Sequence, residues 1–169
     1  MKKIILIGRS EAGKTTLTQA LKGKKIKYHK TQYVNYLDVI IDTPGEYVQT
    51  QGLGAALAVY TYEADIVGLL VSATEPYCLF PPNITCMANR EVVGIVTKID
   101  KPDADIEQAT RWLQLAGCEK IFYVNSKNND GVIDILEYLR EEGDVMPWEV
   151  DQSKQESNKV VKKQQKQHK

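Results

Sequence analysis

The chain has 169 residues, 43% of them hydrophobic and 26% charged, with 22 basic residues against 22 acidic ones. A chain of this size and composition reads as one soluble globular domain. It contains no run of about 20 apolar residues able to cross a bilayer, an apolar run after Met1-Lys2-Lys3 too short for a signal peptide, and no basic domain of the kind that grips nucleic acid.

The charge is unevenly placed. Residues 151–169 carry six Lys against Asp151 and Glu156, which leaves residues 1–150 at −4, with 16 basic and 20 acidic groups. That final stretch has two apolar residues in nineteen and is expected to be disordered. The expected organisation is therefore a domain over residues 1–142 and a polar Lys- and Gln-rich tail over 143–169. Cys78, Cys86 and Cys118 lack CxxC spacing, which suits packing residues in a reducing, cytoplasmic compartment.

In chain order, Lys3 to Ile7 reads as a buried strand, ended by Gly8 and followed by a helix from Lys14 to Lys22 with Leu17, Ala20 and Leu21 at helical spacing. Further strands are expected over Leu37 to Ile41, Ile66 to Ala73, Val92 to Val96 and Ile121 to Val124. Helices are expected over Gly54 to Glu63, Asp105 to Ala116 and Val132 to Glu141. Pro102 and Asp103 precede the second of these and Gly117 follows it. Pro76, Pro81 and Pro82 make Thr74 to Arg90 a loop with one short turn near Ile84 to Ala88. Strands alternating with helices, the strands mostly unbroken by polar residues, predict an α/β fold: a doubly wound, mostly parallel sheet flanked by helices.

Gly8-Arg9-Ser10-Glu11-Ala12-Gly13-Lys14-Thr15 matches G-x-x-x-x-G-K-[ST] at every fixed position, between an expected strand and an expected helix. Glycines at those places let main-chain N–H groups curl around a β-phosphate, the helix N-terminus adds positive potential, and Lys14 reaches the β- and γ-phosphates. Thr15 is placed to offer its hydroxyl to Mg²⁺. A chance glycine turn would not be followed by Asp42-Thr43-Pro44-Gly45, which closes the next strand with an acid suited to Mg²⁺ and a glycine suited to the γ-phosphate.

Thr97-Lys98-Ile99-Asp100 closes a later strand and resembles the [N/T]-K-x-D element of GTPases, in which the Asp pairs with guanine N1 and its exocyclic amine. Asn125-Ser126-Lys127 follows the last strand and resembles the S-A-K element beside the base, with a polar residue in the middle. As a loop cap it would be equally ordinary, but the four elements stand in GTPase order at strand carboxyl ends, where open α/β sheets bind ligands.

Residues 1 to about 142 resemble the EutP/PduV family of small GTPase-like P-loop proteins from ethanolamine and propanediol utilisation, the EutP branch being the one favoured. The resemblance rests on Gly8 to Thr16, Lys30-Thr31-Gln32, Asp42 to Tyr47, Phe80-Pro81-Pro82, Thr97 to Asp100, Ala116-Gly117-Cys118 and Gly131. It implies a Ras-like P-loop NTPase fold, a purine nucleotide (GTP/GDP, or ATP) with Mg²⁺, and a pathway often housed in a bacterial microcompartment. It implies two activities: GTP hydrolysis, or an acetate kinase activity linking acetate, nucleotide and acetyl phosphate.

The residues expected to hold nucleotide are Gly8, Arg9, Ser10, Glu11, Ala12, Gly13, Lys14, Thr15 and Thr16 in the cradle, Gly45 beyond the second strand, and Thr97, Lys98, Asp100, Ser126 and Lys127 around the base. Expected Mg²⁺ ligands are Thr15, Thr31 and Asp42; Lys14, Thr31 and Glu46 are the candidates for catalysis. Thr31 fits a switch residue or a surface Thr, and its separation of only eleven positions from Asp42 leaves room for only a short strand or none. Glu46 stands where many GTPases carry the Gln that orients water; it serves as a base or points to solvent, and slow hydrolysis is expected. Arg9 fits an in-cis arginine finger, a partner of Glu11 or a solvated side chain. Three function classes follow: a slow GTPase switch, an acetate kinase, and a non-catalytic assembly factor docking on a shell or pathway enzyme through the tail or the 74–90 loop.

Overall fold

The computed structural model describes residues 1–22, 40–42, 62–144 and 146. Five strands form one parallel sheet: β1 (Ile4–Gly8), β2 (Ile40–Asp42), β3 (Ile66–Ser72), β4 (Glu91–Thr97) and β5 (Lys120–Val124), in the order β2-β1-β3-β4-β5. Among the described residues three helices accompany them: α1 (Lys14–Leu21), α2 (Ile106–Ala116) and α3 (Val132–Leu139). A 3₁₀ turn, Ile84–Met87, lies where the proline-rich loop was expected to carry one short turn.

The strand sequences match their positions. In β1 and β3 every residue is buried, because these strands are covered on both faces. Alternate side chains go to opposite sides and build two cores. Ile5, Ile7, Val67, Leu69, Val71 and Val96 face Ala109, Leu113 and Ala116 of α2 together with Phe80 and Ile84. Ile4, Leu6, Ile66, Leu70, Val93 and Ile95 face Leu17 and Leu21 of α1 and Val132, Ile135 and Leu139 of α3. In β5 the pattern alternates from Phe122, with Phe122 and Val124 buried and Tyr123 exposed between them; Lys120, on the face of Phe122, is exposed at the start of the strand.

Helix α2 begins one residue after the expected Asp105, whose carboxylate instead caps it by accepting a hydrogen bond from the Gln108 N–H at 2.8 Å, worth about 1 kcal/mol. Gly117 ends it. Helix α3 stops at Leu139 rather than at the expected Glu141, because Arg140 is extended. Glu141 and Asp144 then fold back to hold the Met1 amino group, at 2.9 and 2.8 Å. Tyr62 and Glu63, expected at the end of a helix from Gly54, form a turn; the rest of that segment lies outside the described residues.

The cysteines do not all pack as expected. Cys118 is buried and Cys78 partly so, but Cys86 is exposed. Burial pushes the Cys118 thiol up to about 12, so it stays protonated and unreactive at neutral pH. Among the described residues no helix is long and apolar enough to cross a membrane.

Candidate functional site

With β1 between β2 and β3, successive crossovers leave β1 in opposite directions, and the loop after β1 opens at the resulting crevice. That loop is the glycine-rich segment. Gly8 ends β1 opposite Leu70, and a Cβ there would lie 2.8 Å from the Leu70 carbonyl oxygen and 2.9 Å from its Cβ, so only glycine lets the two strands approach. Gly13, at φ 94°, is the N-cap of α1, a left-handed conformation that glycine adopts without strain. Glu11 also has a positive φ, 68°, and the Ala12 N–H closes the turn onto the Arg9 carbonyl at 3.1 Å.

Lys14 is buried, and its Nζ donates to the Gly8 and Arg9 carbonyls, each at 2.8 Å. The ammonium is thereby held at the mouth of the loop. Thr15 and Thr16 are exposed on the first turn of α1. The Arg9 guanidinium does not pair with Glu11 in this arrangement; it lies over the Tyr77 ring, 4.8 Å from its centroid.

The base elements arrive from the carboxyl ends of β4 and β5. The buried Thr97 hydroxyl donates to the Ala12 carbonyl at 2.6 Å, fastening β4 to the cradle. Lys98 takes a positive φ of 56° and starts a turn closed by the Lys101 N–H on its carbonyl at 3.2 Å, which carries Asp100 around the rim. The Asn125 carboxamide accepts from the Lys127 N–H at 3.1 Å, and Asn125 bridges Asp130 through the main chain, fixing the loop after β5.

A cavity of about 420 Å³ lies between these parts. Gly13 and Thr16 line the end next to the glycine-rich loop; Thr97, Lys98, Asp100, Ser126 and Lys127 line the rest, together with Thr74, Lys101, Asp103 and Asn125. Seven expected nucleotide contacts are therefore gathered around one space of ordinary ligand-pocket size. Gly8 to Ala12, Lys14 and Thr15 form the loop beside it and are not in its wall.

Thr74, Lys101 and Asp103 are site residues that sequence reasoning missed. Lys101 and Asp103 could have been found by their closeness to Asp100 in the chain. Thr74 carries no local signal; it arrives because the Ala73 N–H bonds the Thr97 carbonyl at 2.9 Å, holding the two loops together. Glu75, next in the chain, is not in the cavity wall. Burial pushes its carboxyl above the usual range, while the Ser72 N–H at 3.1 Å and the charges of Arg9, Lys98 and Lys14 pull the other way.

For Mg²⁺ the described residues supply Thr15 at the helix start and the backbone of Asp42, whose Cα pairs with Leu6 at the carboxyl end of β2. No group of three or more His, Cys, Asp or Glu able to hold a metal occurs among the described residues. Mg²⁺ in P-loop proteins is bound mainly by phosphate oxygens and water and asks of the protein one hydroxyl and one carboxylate. Thr31, Gly45 and Glu46 lie outside the described residues.

Comparison with known proteins agrees with this geometry. The G domain of the iron transporter FeoB from T. maritima superposes with a TM-score of 0.54 at 25% identity, covering 82% of this chain and 96% of that one. The fold is that of a P-loop NTPase: a parallel sheet flanked by helices, like the FeoB G domain. Propanediol utilization protein PduV of Citrobacter freundii is 41% identical over 140 residues, 82% of this chain and 93% of the relative. The probable acetate kinase EutP of Escherichia coli K12 is 32% identical over 142 residues, 82% and 89% of the two chains. The family model for ethanolamine utilisation and propanediol utilisation proteins, PduV-EutP, matches residues 1–141. Motifs, fold and relatives converge, and the chain belongs to the PduV-EutP family.

Proposed function

We propose that this chain is a guanine-nucleotide-binding P-loop NTPase of ethanolamine or propanediol utilisation, taking GTP or GDP with Mg²⁺ and hydrolysing GTP slowly. The observation that carries this reading is the single cavity reaching from Gly13 and Thr16 to Asp100 and Lys127, braced by the Thr97 bond to the Ala12 carbonyl. One wall offers helix-terminal amides to phosphate and the other a carboxylate to a purine edge. Adenine lacks the paired donors that Asp100 would accept.

In this proposal the amides of residues 9–16 and the Lys14 ammonium hold the phosphates, and Lys98 covers the base with its stem. Ser126 and Lys127 border the base. Thr15, Asp42 and Thr31 would hold Mg²⁺, which supplies charge neutralisation at the β- and γ-phosphates. Gly45 would meet the γ-phosphate, and Glu46, in place of a neutral water-orienting side chain, accounts for slow hydrolysis. Residues 1–142 form the nucleotide-binding domain, residues 143–169 a polar appendage, and the protein works in the cytoplasm beside its pathway enzymes or their shell. The identities of 41% to a PduV and 32% to an EutP do not favour the EutP branch over the other.

Calorimetric titration with GDP, GTP, ADP and ATP in Mg²⁺ tests this reading. Guanine nucleotides should bind more tightly, Lys14→Ala should abolish binding of the triphosphate, and Asp100→Asn should shift preference toward xanthine nucleotides. Equal binding of adenine and guanine nucleotides would remove Asp100 from its role.

The name of the E. coli relative supports a second reading, an acetate kinase. An acetate oxygen would attack the γ-phosphorus, forming the acyl O–P bond as the bond to the β,γ-bridging oxygen breaks and nucleoside diphosphate leaves. Trapping acetyl phosphate as the hydroxamate, with Lys14→Ala as control, decides it. Absence of a Lys14-dependent product eliminates the kinase.

A further inference from the structure

The cradle explains how a polyphosphate is held, but not what separates a triphosphate from a diphosphate. The Lys14 Nζ marks the place where that difference arises, since the lysine of such loops reaches the β- and γ-phosphates. It lies 2.8 Å from the Arg9 carbonyl, so the Arg9 main chain is one hydrogen bond away from the ammonium. The Arg9 side chain then leaves the loop and settles 4.8 Å from the centroid of Tyr77, a residue half exposed in the loop after β3.

That loop is a firm support. The Glu75 N–H bonds the Ser72 carbonyl at 3.0 Å, the Ser72 N–H bonds the Glu75 carboxylate at 3.1 Å, and the Ser72 and Thr74 hydroxyls lie 2.9 Å apart. The turn continues directly from β3, whose Leu70 pairs with Gly8, so ring and cradle are built on neighbouring strands. The Tyr77 ring covers one side of the guanidinium and limits its conformations, while the Arg9 charge also acts on the Glu75 carboxyl.

We propose that Arg9 is the terminal-phosphate discriminator of this site and that Tyr77 is the positioning residue that holds its guanidinium at that end of the cradle. This rests on the nucleotide-binding reading above. Arg9 adds a charge-assisted contact to oxygens that a triphosphate has and a diphosphate lacks. Tyr77 touches no phosphate; its ring limits the conformations of the arginine, and its hydroxyl is not needed for that.

The test is calorimetry on the full chain with Mg²⁺, using GDP and the β,γ-imido analogue of GTP as probes. Arg9→Ala should weaken the triphosphate analogue about tenfold and GDP by less than about twofold, the size expected for one charge-assisted contact. Tyr77→Ala should lower the same preference about threefold, and Tyr77→Phe should keep the wild-type ratio because the ring survives. A purely structural role would weaken both ligands alike. Equal losses for both probes in Arg9→Ala, or an unchanged ratio in Tyr77→Ala, overturn the proposal while leaving the nucleotide reading standing. Wild-type protein that binds neither probe overturns both.

Discussion

A hydroxyl at position 97 joins two parts of the site that are 85 residues apart in the chain. Thr97→Val keeps the shape of the side chain but leaves the buried Ala12 carbonyl without its donor, which should cost about 1–3 kcal/mol in urea unfolding. Nucleotide affinity should fall with it, since the cradle loses its brace to β4; full affinity in the valine variant would show that the loop is rigid without it. Glu75 makes a different prediction. Its carboxyl is raised by burial, so the folded state binds that proton more tightly than the unfolded one. The group therefore favours the folded state most below the ordinary carboxylate range and loses that advantage as pH rises through its raised pKa. Glu75→Gln cannot ionise yet can still accept from the Ser72 N–H. It should match wild type near about pH 4 and exceed it near neutrality, read as urea midpoints across pH. A difference independent of pH would sink this account.

Among the elements, α3 depends on a residue that cannot be replaced. Gly131 caps it at φ 70°, and a Cβ there would lie 2.0 Å from the Tyr123 carbonyl oxygen, a main-chain atom of β5 that has no room to retreat. Gly131→Ala should cost at least about 2 kcal/mol through strain and displacement of α3 from the sheet. Gly143→Ala serves as the control. Its φ is 92° but nothing lies within 4 Å of the added carbon, so it should cost only the left-handed backbone penalty, about 1 kcal/mol. Equal losses in the two variants, measured by denaturant, would mean that the Tyr123 contact carries no weight. The strands over residues 66–73, 92–96 and 121–124 were readable because their apolar runs are short and unbroken, and α2 because Pro102 and Asp103 precede it and Gly117 follows it. The early end of α3 was not readable, since Val132 to Glu141 keeps helical spacing and the competing partner for Glu141 is at the other end of the chain.

At the scale of the whole molecule, the Met1 amino group lies between Glu141 and Asp144, and the Lys2 N–H bonds the Leu139 carbonyl at 2.8 Å. The approach to β1 is thus tied to the end of α3, closing the core that α1 and α3 share. Hydrogen bonding to Asp144 raises the amine, and the amine in turn lowers Asp144. The two shifts bound a window. The Asp144 contribution is present above the ordinary carboxylate range and lost as pH falls through its lowered pKa; the amine contribution is present below the ordinary amine value and lost as pH rises through its raised one. Asp144→Asn should therefore reduce stability by about 0.5 kcal/mol near pH 6, with the deficit shrinking toward both extremes. A deficit constant across pH would point to packing instead of charge.

The order of residues alone determined the local matters: the runs that form β1, β3, β4 and β5, where α2 starts and stops, and that Gly8 to Thr15 turn as a glycine-rich loop from strand to helix. These depend on spacing and on side-chain shape within a few positions, which a linear reading contains. Tertiary structure decided the rest. The order β2-β1-β3-β4-β5, the Thr97 bond to Ala12, the entry of Thr74 into the cavity, and the placing of Arg9 over Tyr77 join residues remote in the chain. No periodicity marks such pairs, because they meet only when the two cores on either face of the sheet draw their strands and loops to one edge.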